Sequence, residues 1–131
     1  MAAMTRELAR YAVESRFEDL PEAVRHEGER AFLNILGCML GGAKAPEIDR
    51  VLAALQEFSG RPEATLIGRG QRADILLGTL VNAHSQGVNA YNDTHLATVA
   101  HPTGPVAAPI LAFRASAGDW AGVPPCLDPR H

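Results

Sequence analysis

The sequence predicts an all-α protein: a compact bundle of about five helices with at most one short extended segment. Three observations carry this. Apolar residues recur at helical spacing through most of the chain, and residues that start or stop helices stand at the ends of those runs. Only one short stretch, Ala64 to Ile67, reads as extended. The 131 residues amount to one domain, long enough to bury a core without disulfides or metals.

Thr5 can cap a first helix that presents Leu8, Tyr11 and Ala12 and breaks between Arg16 and Leu20. Pro21 and Glu22 suit the first turn of a second helix, with Val24, Gly28, Ala31, Ile35, Cys38 and Met39 as its stripe. From Ala31 to Leu40 nearly every position is apolar, so that end is expected to be buried on all sides, and Gly41 and Gly42 to stop it. Pro46 and Glu47 open a third helix, in which Ile48, Val51, Leu52, Leu55 and Phe58 fit a 3.6-residue period; Ser59 and Gly60 end it. A fourth helix is expected from Arg72 or Ala73 through "DILLGTLVNAHSQGVNA", apolar around most of its circumference and therefore central. Pro105 begins a fifth, with Pro109 near its first turn. "GDWAGVPPCLDPRH" has three prolines and no period, and reads as irregular.

Composition excludes several classes. Hydrophobic residues make up 47% and charged residues 21%, an ordinary globular balance. A net charge of −3 and a pI near 5.9 leave no electrostatic footprint for nucleic acid. The longest apolar run, "AFLNILGCMLGGA", is too short and too glycine-broken to span a bilayer, so no membrane partner is expected. The charged N-terminus is no secretory signal, and Cys38 and Cys126 give no disulfide framework. The expected compartment is a reducing one, the cytoplasm.

"GRGQRA", Gly68 to Ala73, matches the outline of a dinucleotide-binding turn. No βαβ pattern surrounds it and no acidic residue follows about 20 positions on, so a tight turn is the favoured reading and no cofactor is expected. His84, His95 and His101 are spaced by eleven and six positions, which fits no zinc pattern, and no metal is expected. His84 reads as a helix-face histidine bonded to its surroundings.

"YNDTHLATVAHPTGP", residues 91 to 105, is denser in chemistry. Asp93, Thr94 and His95 follow a buried helix, and His101 precedes Thr103, Gly104 and Pro105, which start another. Free N–H groups at a helix start favour an anion such as a carboxylate, and histidine passes protons near neutral pH. The stretch fits a site for a small carboxylic acid, and equally fits a polar turn with a helix cap.

The order of these residues resembles the MmgE/PrpD family, which includes 2-methylcitrate dehydratase and cis-aconitate decarboxylase. The landmarks are "VNA" at 81–83, "YNDTH" at 91–95, "HPTGPVAAPILA" at 101–112 and "RAFLNILGCMLGGAKAPE" upstream. The resemblance covers residues 5 to 113 or so. It implies part of a helical domain, homodimers, and metal-independent lyase chemistry on tricarboxylic or related acids. Thr94 and His101 fall on positions that line the family's active site, Asp93 falls on its second acidic residue, and Asn92 has a counterpart in some members. Ala90 stands where many members carry an acidic residue, Gly87 where many have His, and Ala83 where many have Gly.

The expected organisation is a helical region over residues 1–113 and an irregular tail over 114–131, from a truncation or a shifted reading frame. The expected function is that of a fragment of an MmgE/PrpD-type lyase, a dehydratase or decarboxylase with little activity alone. His101, Asp93 and Thr94 would be catalytic, and His95, Asn92 and Gly104 would bind substrate. The alternative is a non-catalytic helical oligomerisation module, and self-association is expected under both. An acidic residue restored at position 90, with a complementing C-terminal fragment, separates the two.

Overall fold

The computed structural model describes residues 2–117, and the expected irregular tail from residue 118 onward lies outside them. Five α-helices and one two-stranded hairpin follow in order: α1 (Ala2–Glu14), α2 (Glu22–Gly42), α3 (Pro46–Leu55), β1 (Ala64–Leu66), β2 (Gln71–Ala73), α4 (Ile75–Ser85) and α5 (Thr103–Ala117). Short 3-10 turns follow α1 and α3, at Phe17–Asp19 and Gln56–Phe58. The fold is mainly α-helical, as the periodicity predicts.

The chain forms two compact units, one ending at Ala31 and the other beginning at Phe32, so the boundary in sequence falls inside α2. In the first unit α1 starts at Ala2, so Thr5 lies inside the helix rather than capping it. The Arg25 guanidinium lies 5.5 Å from the centre of the Phe17 ring, a cation–π contact.

The second unit has two buried clusters. Ile48 and Leu52 of α3, Leu66 and Ala73 of the hairpin, and Leu77 and Val81 of α4 form one. Ile35, Leu36 and Met39 of α2 pack with Ala107 and Ala108 of α5 in the other. The small residues of α5 allow close packing, and Gly42 lets the end of α2 lie against the Ser85 carbonyl: a Cβ on Gly42 would stand 2.0 Å from that oxygen. Asn82 is buried and acts as a side-chain extension of the sheet. Its Nδ2 donates to the Thr65 carbonyl at 2.9 Å and its Oδ1 accepts from Ile67 N–H at 3.0 Å.

Several expectations are corrected. Residues 31–40 are not buried all round, since Leu33 is 73% and Leu40 57% exposed. On α4, likewise, Leu76 is 82% exposed. The fourth helix begins at Ile75, because 71–73 are recruited into the hairpin, and Asp74 caps it, accepting from Leu76 and Leu77 N–H at 2.8 and 3.1 Å. It ends at Ser85, not Ala90, where successive turns redirect the chain. Pro109 lies inside α5, past its first turn, while α5 begins at Thr103, the first of the three residues expected to start it.

The Gly68–Gly70 motif is the turn between β1 and β2. Both glycines have positive φ, 75° and 64°, and the strands are antiparallel with Leu66 opposite Gln71. A dinucleotide-binding turn joins a strand to a helix, whereas this one joins two strands.

Candidate active site

The segment between α4 and α5 folds back on itself. His95 N–H donates to the Ala100 carbonyl at 2.8 Å, in an isolated antiparallel bridge. Thr98 N–H donates to the His95 carbonyl at 3.1 Å, closing the turn at its tip. Ala90 and Val99 both adopt φ 53°, the left-handed region that non-glycine residues rarely occupy. The first sits just before the segment and the second just before Ala100, so both reversals are made without glycine.

This fold-back brings His101 to Asp93 and Thr94. His101 Nδ1 lies 3.1 Å from the Asp93 backbone carbonyl and 3.1 Å from Thr94 Oγ1. A carbonyl can only accept, so the contact with Asp93 is a hydrogen bond in the tautomer that carries its proton on Nδ1. In the neutral ring Nε2 then holds the free lone pair, and His101 is exposed.

Asp93 is half-buried and anchored from the far side. Thr103, the first residue of α5, donates its hydroxyl to Asp93 Oδ2 at 2.7 Å. The other oxygen, Oδ1, is buried without a donor. The loop also meets α2, where Asn34 Nδ2 donates to the Tyr91 carbonyl at 3.3 Å. Beside Asn34, burial pushes the Cys38 thiol up from its ordinary pKa, with the negative charge of Asp93 adding to the effect. Cys38 is therefore a neutral packing residue, not a thiolate.

The remaining expected residues are spread. His95 Nδ1 is held by Thr98 Oγ1 at 2.8 Å, within the turn rather than beside His101. Asn92 is half-buried on the same loop. Gly104 is buried in the first turn of α5, beneath the side chain of Gln86. A Cβ there would stand 2.6 Å from Gln86 Cδ. Gln86 Nε2 donates back to the Ala83 carbonyl at 3.0 Å, while its Oε1 is buried without a donor. His84 lies exposed on α4 with no side-chain partner among the described residues, contrary to its expected bonded role. Among those residues no group of three or more His, Cys, Asp or Glu side chains could hold a metal ion.

From the sequence, Thr103 is expected only as part of a helix start, and Gln86 is not among the expected site residues. Thr103 had a readable signal, a hydroxyl residue at a helix start. Gln86 had none, because its role depends on the approach of α5.

The family model for the MmgE/PrpD N-terminal domain matches residues 6–120. The chain belongs to the MmgE/PrpD family. The match takes in every element of the second unit, and with them the loop that carries Asp93, Thr94 and His101. No curated protein matches the chain. Among the described residues of this MmgE/PrpD domain, no helix is long and apolar enough to cross a membrane.

Proposed function

We propose that this MmgE/PrpD N-terminal domain supplies one share of a lyase active site for a small carboxylic acid. The observation that carries the reading is the fold-back that sets His101 Nδ1 3.1 Å from both the Asp93 carbonyl and Thr94 Oγ1. With the proton on Nδ1, donated to the Asp93 carbonyl, Nε2 of the exposed His101 is left as the base. Elimination next to a carboxylate needs such a group. A base takes the proton from the carbon beside the carboxylate, the electron pair forms the double bond, and the neighbouring hydroxyl leaves with a proton as water. Decarboxylation instead needs a proton delivered to carbon as CO2 departs, and a histidine serves either direction.

Thr94 Oγ1, within reach of the same ring, orients the imidazole or a substrate hydroxyl. Asp93, tied to Thr103, holds the loop against α5 and keeps one carboxylate oxygen for exchange. The first turn of α5 favours a carboxylate, and Gln86 has to swing off Gly104 before a ligand can reach it. His95 and Asn92 flank this centre as further substrate contacts. Other parts of the site are expected from outside this chain, so turnover by the 131-residue chain is expected to be slight.

The test is an NMR titration of the chain with citrate at constant ionic strength. Saturable shifts at Thr94, His101 and Gly104, abolished by His101→Ala, are expected. Shifts that are absent, or that His101→Ala leaves unchanged, refute the reading.

The exposure of large apolar residues favours self-association as well. Phe58 and Leu76, beside one another along one groove with Leu55 and Leu80, are 78% and 82% exposed. A homo-oligomer is the proposed state, measured by sedimentation; a monomer at all concentrations sinks that part alone.

A further inference from the structure

Away from the His101 loop, the hairpin turn builds a second polar pocket. Arg69, at the turn between Gly68 and Gly70, reaches back over the connection from α2 to α3. Its Nη1 donates to the Ala43 carbonyl and its Nη2 lies 2.6 Å from Asp49 Oδ1. The guanidinium is therefore fixed in place by two bonds, and Gly68 makes the approach possible, since a Cβ there would stand 2.8 Å from the Ala43 Cβ. Lys44, Asp49, Arg69 and Gln71 together line a pocket of about 250 Å³.

Its charge balance is positive, with two cations facing one carboxylate. The compensation by Asp49 is incomplete, because the Arg69 side chain is 16% exposed whereas that of Asp49 is 60% exposed and screened by water. Arg69 Nε–H is buried without an acceptor. Lys44 makes no hydrogen bond or ion pair among the described residues, so its three donors are free, as is the Gln71 amide.

We propose that this pocket binds a small phosphate-type oxyanion. The immobilised guanidinium lowers the ordering cost of binding, and each Nη keeps a second N–H, beyond its bond to Ala43 or Asp49, for an oxyanion. Lys44 supplies the mobile second charge and Gln71 a neutral donor. Lys44 is exposed and makes no structural bond, so it can be changed without disturbing the fold, whereas loss of Arg69 would free the hairpin from α3.

The experiment titrates the 131-residue chain with inorganic phosphate, and separately with glycerol phosphate, against sodium chloride at matched ionic strength. Amide shifts at Lys44, Arg69, Gly70 and Gln71 are followed by NMR. Saturable shifts with phosphate are expected, weakened about tenfold or more in Lys44→Glu, which equals one decade in Kd. Binding of glycerol phosphate but not of free phosphate assigns the site to a phosphate ester, and binding of both assigns it to the phosphate group itself. Shifts reproduced by chloride, or unchanged in Lys44→Glu, overturn the proposal. Lys44→Glu and the shifts read at Lys44, Arg69, Gly70 and Gln71 lie outside the His101 loop, so the result is independent of the lyase reading.

Discussion

Adding one methyl group to α2 should have opposite effects at two glycines five residues apart. At Gly37 a Cβ would meet nothing within 4 Å. Gly37→Ala therefore carries only the helix-propensity gain, about 0.5–1 kcal/mol. At Gly42 the Cβ would stand 2.0 Å from the Ser85 carbonyl oxygen, 2.9 Å from its carbon and 3.0 Å from the Val88 Cβ. Two of those three atoms are backbone and cannot rotate away. The end of α2 and the turn after α4 would have to separate by roughly 1 Å to restore ordinary contact distances.

Overpacking of this kind costs about 1–3 kcal/mol. The propensity gain at Gly42 is smaller than at Gly37, because it is the last residue of the helix and half outside it. Sterics win, and the two variants should differ by about 2–3 kcal/mol with opposite signs. At about 3–4 °C per kcal/mol for a chain of this size, Gly37→Ala melts about 2–4 °C above the parent and Gly42→Ala clearly below it. Urea unfolding followed by far-UV circular dichroism measures both. A Gly42→Ala midpoint at or above that of the parent would show that α2 and α4 do not approach as closely as described, and the packing argument would fail.

Asp74→Ala removes the cap of α4 and its bonds to Ser59 and Gly60, so a loss of about 1–2 kcal/mol is expected in denaturant titrations. The Ser59 hydroxyl, followed by backbone N–H donors, holds the Asp74 pKa below its ordinary value. Its stabilisation is thus complete above the unfolded-state pKa and is lost as pH falls through the lower folded value; Asp74→Asn should flatten that acid limb, and an unchanged limb would refute the assignment. Asn82→Leu strands Ile67 N–H and the Thr65 carbonyl, at about 1–3 kcal/mol for each unpaired group, and should speed hydrogen exchange at the Ile67 amide. Ala90→Gly removes a left-handed alanine and should raise stability by about 0.5–1 kcal/mol, whereas a drop in melting temperature would place Ala90 elsewhere in φ.

What the sequence made legible follows from how local each signal is. α3 starts at Pro46 and β1 at Ala64 as their residues suggest, because Pro fixes φ at a helix start and a short apolar run between turns reads as extended. β2 was missed because Gln71-Arg72-Ala73 has no apolar alternation; its strand state is imposed by Gly68 and Gly70, which turn it onto β1. The Asp74 cap was readable and overlooked, an Asp standing directly before an apolar run. Asn82 and Gln86 could not be read at all. Each is a polar residue buried by a distant partner, β1 for one and α5 for the other, and nothing in the neighbouring residues encodes that approach. In the candidate site the residue types were legible, but the placing of His101 against Asp93 depends on a fold-back spanning eight residues.

Position 90 shows how a departure in sequence and a strain in structure can be one fact. The resemblance to the family leads an acidic residue to be expected there, and this chain has alanine. The backbone at Ala90 is left-handed, a conformation that aspartate and asparagine enter more readily than alanine, because their short polar side chains can bond to the adjacent backbone. Alanine therefore removes a carboxylate beside the loop and also keeps a less suitable residue at the reversal that aims the loop. Ala90 is exposed, so an aspartate there would meet water rather than packed atoms. Restoring the acid should consequently leave the fold intact or slightly firmer, and any change it brings in ligand binding near His101 would be chemical in origin. The geometry that makes alanine a poor residue at this turn is the same geometry that makes the aspartate variant a clean probe of the site.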